Sequence, residues 1–130
     1  MTEEEILAYE GEKFSIEWYR DATGISQPFE YFMDLDVSTQ NKLFHLFKRI
    51  GDFGRISDET KFRYEGDQIY AFKPKPDRFL CFFQRGKKII VTNAFRKKQD
   101  KMPKPEKERS LNCQQDYLKR LKKGEYYDDN

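Results

Sequence analysis

No part of this chain narrows its fold more than Phe79-Leu-Cys-Phe-Phe83, five apolar residues in unbroken succession. A strand with one face in water alternates polar and apolar residues, whereas an uninterrupted apolar strand needs cover on both faces. Phe79–Gln84 therefore reads as the central strand of a sheet. Arg85-Gly86 is a tight hairpin turn into the next strand, Lys87–Phe95. Ile69–Lys73 forms the strand before, stopped by Pro74 and Pro76, because proline cannot donate to a ladder. Near the N-terminus, Lys13–Tyr19 alternates, with Phe14, Ile16 and Trp18 on one side and Ser15, Glu17 and Tyr19 on the other. That pattern is a half-buried strand. A further short strand fits Lys61–Tyr64.

Helical periodicity fills the intervals. Pro28 suits a first helical position with Glu30 in the first turn, and this short helix carries Phe29, Phe32, Met33 and Leu35. A second helix runs from near Ser38, its expected cap, to about Phe53. Leu43, Leu46, Phe47 and Ile50 form its buried stripe, and Gly51 and Gly54 end it. A third starts near Pro105, with acids in its first turn and Lys119, Arg120, Lys122 and Lys123 in its last, as the helix dipole favours. Leu111, Leu118 and Leu121 are its expected docking residues. The order β-α-α-β-β-β-α defines an α+β fold. The expected architecture is a small, mostly antiparallel sheet of about four strands with helices packed against one face, two of them N-terminal and one C-terminal. At 130 residues one domain is expected, spanning residues 13–123. A loosely held acidic arm at 1–12 precedes it, and a frayed tail at 124–130 follows.

Composition excludes several classes. The two cysteines, Cys81 and Cys113, lack metal-like spacing, so neither a disulfide framework nor a metal site is expected and a reducing cytoplasm fits better. No apolar run reaches transmembrane length, so no membrane partner is expected. Charge is segregated: residues 1–37 hold ten acids against Lys13 and Arg20, whereas residues 73–109 hold thirteen bases against four acids. Such a chain can steer a polyanion onto one face.

Conventional catalytic groups are sparse. His45 is the only histidine, and on a helical wheel it lies opposite the apolar stripe, as exposed surface. Gly-rich phosphate loops are absent. Asp34 and Asp36 suit helix capping, and Cys81 suits a buried apolar position. What remains is cationic. Lys73 ends one strand, Arg78 opens the next, and Lys97 and Lys98 close the last. If the three strands are neighbours, these cations share one rim, where crowded positive charge calls for an anion. RNA can be cleaved at such a rim without a metal or cofactor, by attack of its own 2′-hydroxyl on the adjacent phosphorus, with the protein aligning the attack, moving protons and offsetting phosphorane charge. Plain phosphate binding without catalysis is the simpler reading of the same residues. Lys75, Arg96, Lys101 and Lys104 are the flanking candidates for RNA binding.

The motifs Ile69-Tyr-Ala-Phe-Lys73, Arg78-Phe-Leu-Cys-Phe-Phe83, Val91-Thr-Asn-Ala-Phe-Arg-Lys-Lys98, Met102-Pro-Lys-Pro-Glu106 and Asp116-Tyr-Leu-Lys-Arg120 resemble RelE/HigB-type toxins, in particular the phage-derived, HigB-like branch. The resemblance covers about Lys13 to Lys123. It implies a microbial-RNase-like sheet and the toxin half of a type II toxin–antitoxin pair, a ribosome-dependent messenger-RNA endonuclease that inhibits translation by cutting codons in the decoding site. It also implies a cognate antitoxin, often a small helix-turn-helix protein. By resemblance, Arg78 contacts the scissile phosphate, Lys73 stands where many members carry arginine, and Lys97 or Lys98 matches a proposed proton donor. The chain departs from the family pattern at Cys81, which replaces an aromatic residue, in its lack of a matching C-terminal tyrosine, and in its acidic arm. The alternative reading is a non-catalytic RNA- or ribosome-binding protein on the same fold, such as a degenerate toxin or a phage host-inhibition factor.

Overall fold

The computed structural model describes residues 1–128. Ten elements follow one another: α1 (Glu3–Ile6), β1 (Leu7–Glu10), β2 (Ser15–Trp18), α2 (Gln27–Met33), α3 (Val37–Phe53), β3 (Phe62–Tyr64), β4 (Tyr70–Phe72), β5 (Asp77–Gln84), β6 (Lys88–Arg96) and α4 (Lys104–Lys122). The α+β class holds, but the sheet has six strands rather than about four, in the order β1-β2-β6-β5-β4-β3. It is also mixed: β2 pairs with β6 in parallel, Ser15 opposite Lys88 through Trp18 opposite Val91, while the remaining pairs are antiparallel. Among the described residues, no helix is long and apolar enough to cross a membrane.

β5 is central and buried on both faces, as its unbroken apolar run dictates. Phe79 and Cys81 enter one core with Trp18, Leu43, Phe47 and Ile50. Leu80 and Phe82 enter a second with Ile69, Ile90, Tyr117 and Tyr126. The two cores place α4 on the face opposite α2 and α3, which corrects the expectation of helices on one face. Trp18 organises the first core, its ring meeting those of Phe29, Phe32, Phe47 and Phe79 at centroid distances of 5.3–6.2 Å.

Local chemistry explains most of the element ends. The Asp36 carboxylate accepts from the Thr39 N–H at 2.7 Å and caps α3, in place of Ser38. Gly54, at φ +79°, ends the helix in the left-handed conformation. Gly51, expected to help end α3, instead lies inside it. There its carbonyl accepts from the Lys13 and Phe14 N–H groups at 2.7 and 2.9 Å, and the backbone at Gly11 approaches so closely that a Cβ there would stand 2.2 Å from the Gly51 carbonyl carbon. In β6, Thr92 is an extra residue: Leu80 pairs with Asn93 but Cys81 with Val91. This bulge turns a polar pair toward α4. The Thr92 and Ser110 hydroxyls are 2.6 Å apart, and the Asn93 amide donates to the Glu106 carbonyl at 3.1 Å.

Both ends of the described chain are built in. The acidic segment expected to be a loose arm forms α1, sealed by a Thr2–Glu5 capping box, and then the edge strand β1 on β2. Glu3 pairs with Arg20 at 2.7 Å and also accepts from the Asp128 N–H at 2.8 Å. The tail expected to fray is docked as far as it is described. Tyr126 is buried and its hydroxyl accepts from the Arg20 N–H at 3.0 Å, and the Tyr127 hydroxyl donates to Glu17 at 2.6 Å. Asp129 and Asn130, part of that expectation, lie outside the described residues. Tyr117 is the anchor of α4; Leu111 and Leu121 are partly buried beside it, while Leu118, expected to dock, is exposed.

Candidate functional site

The ends of β4, β5 and β6 meet at one rim because β4 and β5 pair antiparallel, Phe72 opposite Phe79, and β5 and β6 likewise, Asp77 opposite Arg96. Residues that leave β4, enter β5 and leave β6 are thereby gathered. The Lys97 N–H donates to the Pro76 carbonyl at 3.0 Å, tying the exit of β6 to the turn before β5. A hollow of about 270 Å³ opens at this rim, lined by Arg63, Glu65, Lys73, Arg78, Lys97 and Lys101, with Met102 and Pro103 at its side.

Arg78 is the most buried of these cations, 6% exposed. Among the described residues its one hydrogen bond runs from Nη1 to the Asp77 carbonyl at 2.9 Å, and it takes part in no ion pair. Burial draws its guanidinium below the usual arginine range, with Glu65 and Asp77 opposing that drift. A guanidinium carries five donors, so a buried one with a single neutral acceptor presents the rest to the hollow. Lys73 donates to the Glu59 carbonyl at 3.0 Å. Burial lowers its pKa, Glu65 holds it up, and Arg78, Arg63 and Lys97 push it further down. Lys97 is half-buried, with Asp100 at 3.6 Å.

The structure therefore brings together Lys73, Arg78, Lys97 and Lys101, and separates the other candidates. Lys98, expected to share the pocket, lines a neighbouring hollow of about 610 Å³ with Arg96, Tyr31, Glu106 and Arg109. Lys75 lines a third hollow, of about 480 Å³, which shares Lys73 with the first. Lys104 is exposed at the start of α4 and lines none of the three. Asp77 belongs to the frame: it is buried and accepts from the Tyr31 hydroxyl at 2.5 Å.

Two members of the pocket escaped sequence reasoning. Arg63 sits in β3, and Glu65 follows that strand directly, its N–H donating to the Ile69 carbonyl at 2.8 Å across the β3–β4 turn. Their spacing of two along a short strand was the available signal, since alternate residues share a face. Glu65 gives the pocket a partly buried carboxylate among five cations. The arrangement can bind a phosphodiester, spread charge over it and exchange protons with its neighbouring hydroxyls.

The family described as Phage derived protein Gp49-like (DUF891) matches residues 30–114, which include the whole of this rim. No curated protein matches the chain.

Proposed function

This chain belongs to the Gp49-like family of phage-derived proteins, and from that premise we propose that it is the toxin of a toxin–antitoxin pair, acting as an endonuclease on messenger RNA in the ribosomal decoding site. The family is associated with toxins of toxin–antitoxin pairs. The observation that carries the nuclease reading is Arg78: a buried guanidinium with one backbone acceptor, facing a hollow with four other cations and two carboxylates, Glu65 and the exposed Asp100 beside Lys97.

The chemistry follows from those groups. The 2′-hydroxyl of the RNA attacks the adjacent phosphorus and the 5′-oxygen leaves, giving a 2′,3′-cyclic phosphate and a 5′-hydroxyl. Glu65 takes the 2′-hydroxyl proton as general base. Lys73, whose burial and cationic neighbours make it a readier acid than an ordinary lysine, gives a proton to the departing 5′-oxygen. Arg78 and Lys97 offset the charge that grows on the phosphorane oxygens. The ribosome contributes the in-line geometry of the messenger, and an antitoxin would hold the toxin silent by covering or distorting the rim.

Primer extension on messenger RNA from expressing cells tests this. New 5′ ends are expected within translated codons, together with growth arrest. Arg78→Ala, shown by thermal denaturation to be folded, should lower cleavage by about 10²–10³, as loss of an oxyanion-stabilising donor does. A folded Arg78→Ala protein that still arrests growth and cleaves at the wild-type rate would remove Arg78 from the mechanism, and RNA binding without new 5′ ends would leave a non-catalytic binder.

A further inference from the structure

The third hollow lies beside the candidate catalytic pocket and has a simpler composition. Lys42, His45 and Arg49, at spacings of three and four, present one face of α3 to it. Lys61 precedes β3, and Lys73 and Lys75 follow β4. The pairing of those strands brings them together, the Lys73 N–H donating to the Lys61 carbonyl at 2.8 Å. No carboxylate lines this cleft, and among the described residues none of its lysines or Arg49 takes part in an ion pair. Five cations line about 480 Å³. Asp58 acts on Lys61 and Lys75, Asp36 on Lys42 and Glu65 on Lys73 only from outside the lining. The cleft itself therefore stays cationic, and a polyanion is the ligand that matches it.

We propose that this cleft is a second phosphate-binding subsite, which takes the backbone of the same RNA strand as it leaves the candidate catalytic pocket. Continuity carries the choice of ligand. Lys73 lines both hollows, so a strand whose scissile phosphate lies against Arg78 passes Lys73 and meets the α3 cations with its next phosphates. An acidic protein segment could neutralise the cleft, but it would have no need of a cation shared with the pocket. The subsite rests on the RNA-cleaving reading for its purpose and on binding alone for its test.

That test is fluorescence anisotropy with the full chain and labelled 2′-O-methyl oligouridines, which cannot be cleaved, of about four and about twelve nucleotides. The longer probe should bind about tenfold more tightly or better, because it can fill both hollows. In a Lys42→Ala/Arg49→Ala double variant, whose substitutions lie on the exposed side of α3, the ratio should fall to near unity. The slope of log affinity against log salt for the longer probe should fall by about 1.4, two phosphates at about 0.7 each for a single strand. Arg78→Ala should weaken both probes and keep the ratio. A double variant with the wild-type ratio and slope overturns the proposal, as does an oligoglutamate peptide that outcompetes unlabelled RNA through Lys42 and Arg49. Failure of the nuclease reading is separate: a chain that never cuts messenger RNA but shows the ratio and loses it in the double variant retains the subsite.

Discussion

Glu65 and Lys73 face each other across the rim with opposite consequences for proton transfer. Burial and three cations lower the Lys73 pKa, and Glu65 is the group that opposes them. Replacing the carboxylate with an amide therefore does two things at once: it removes the base, and it lets the lysine fall further. Glu65→Gln is expected to cut the rate of cleavage by about 10²–10⁴, the usual worth of a general base. It should not weaken RNA binding, because a negative charge leaves a cationic pocket. If Lys73 is the acid, its protonated form is the active one, so activity falls as pH rises through its pKa. In Glu65→Gln the residual activity should lose that alkaline limb at a lower pH than in the wild type. A pH–rate profile on ribosome-bound messenger, with anisotropy for binding, checks both, and weakened binding at an unchanged rate would make Glu65 a structural residue. Arg78, Lys73 and Lys97 were legible because each stands where a predicted strand starts or stops. Glu65 was not, because its position depends on a turn in which Asp67 and Gln68 take positive φ, +52° and +68°, a geometry that local sequence does not announce.

Among the elements, β6 shows most clearly where patterning stops being informative. Its apolar positions and hairpin with β5 follow from alternation and the Arg85-Gly86 turn, and the pairing register leaves three residues, Arg85 to Lys87, to reverse the chain. The bulge at Thr92 is not encoded in that pattern. Its effect is to turn Thr92 and Asn93 toward α4 and so to fix how the helix follows the basic rim. Thr92 and Ser110 are both fully buried, their hydroxyls bonded to each other. Thr92→Val leaves the Ser110 hydroxyl short of a partner inside the protein, which should cost about 1–3 kcal/mol in urea denaturation. Removing both hydroxyls, as Thr92→Val/Ser110→Ala, should cost less than the sum of the two single changes, since the bond between them is lost only once, although Asn93 Oδ1 and the Leu80 carbonyl also lose the Thr92 hydroxyl. Additive losses would mean that the two hydroxyls act independently. The face chosen by α4 has the same kind of cause. Its leucines suggested an aliphatic contact, but Tyr117 carries the docking, with Tyr126 against it at 4.5 Å between ring centroids, and a tyrosine pair from a helix and a tail leaves no periodic trace.

Across the whole molecule, strand order converts segregation of charge along the sequence into segregation in space. The acid-rich N-terminus supplies β1 at one edge of the sheet, and the basic hollows gather around β3, β4 and the rim at the other side. The charge asymmetry was legible, but the use of the arm was not, because it depends on a parallel pairing of β2 with β6 across some seventy intervening residues. Once β2 lies beside β6, its free edge needs cover, and β1 supplies it. The arm also partners a buried charge: Arg20, 8% exposed, is held by Glu3, by the Met1 carbonyl and by the Tyr126 carbonyl. A chain lacking residues 1–10 would expose the β2 edge, lose buried Ile6 and leave Arg20 with the tail alone. The loss should be on the order of 5 kcal/mol, from about 2 for Ile6 and about 3 for an ion pair broken at one partner. That is comparable to the entire stability of a small domain, so the shortened chain should unfold at much lower urea and lose hydrogen-exchange protection along β2. Ile6→Ala in the full chain is the milder version, expected to lower stability by about 2–3 kcal/mol, at the low end for such a truncation, while the fold persists. If both variants melt with the wild type, the arm is an appendage. If both fall in this order, the acidic segment is a structural partner of the tail and belongs to the domain that carries the basic rim.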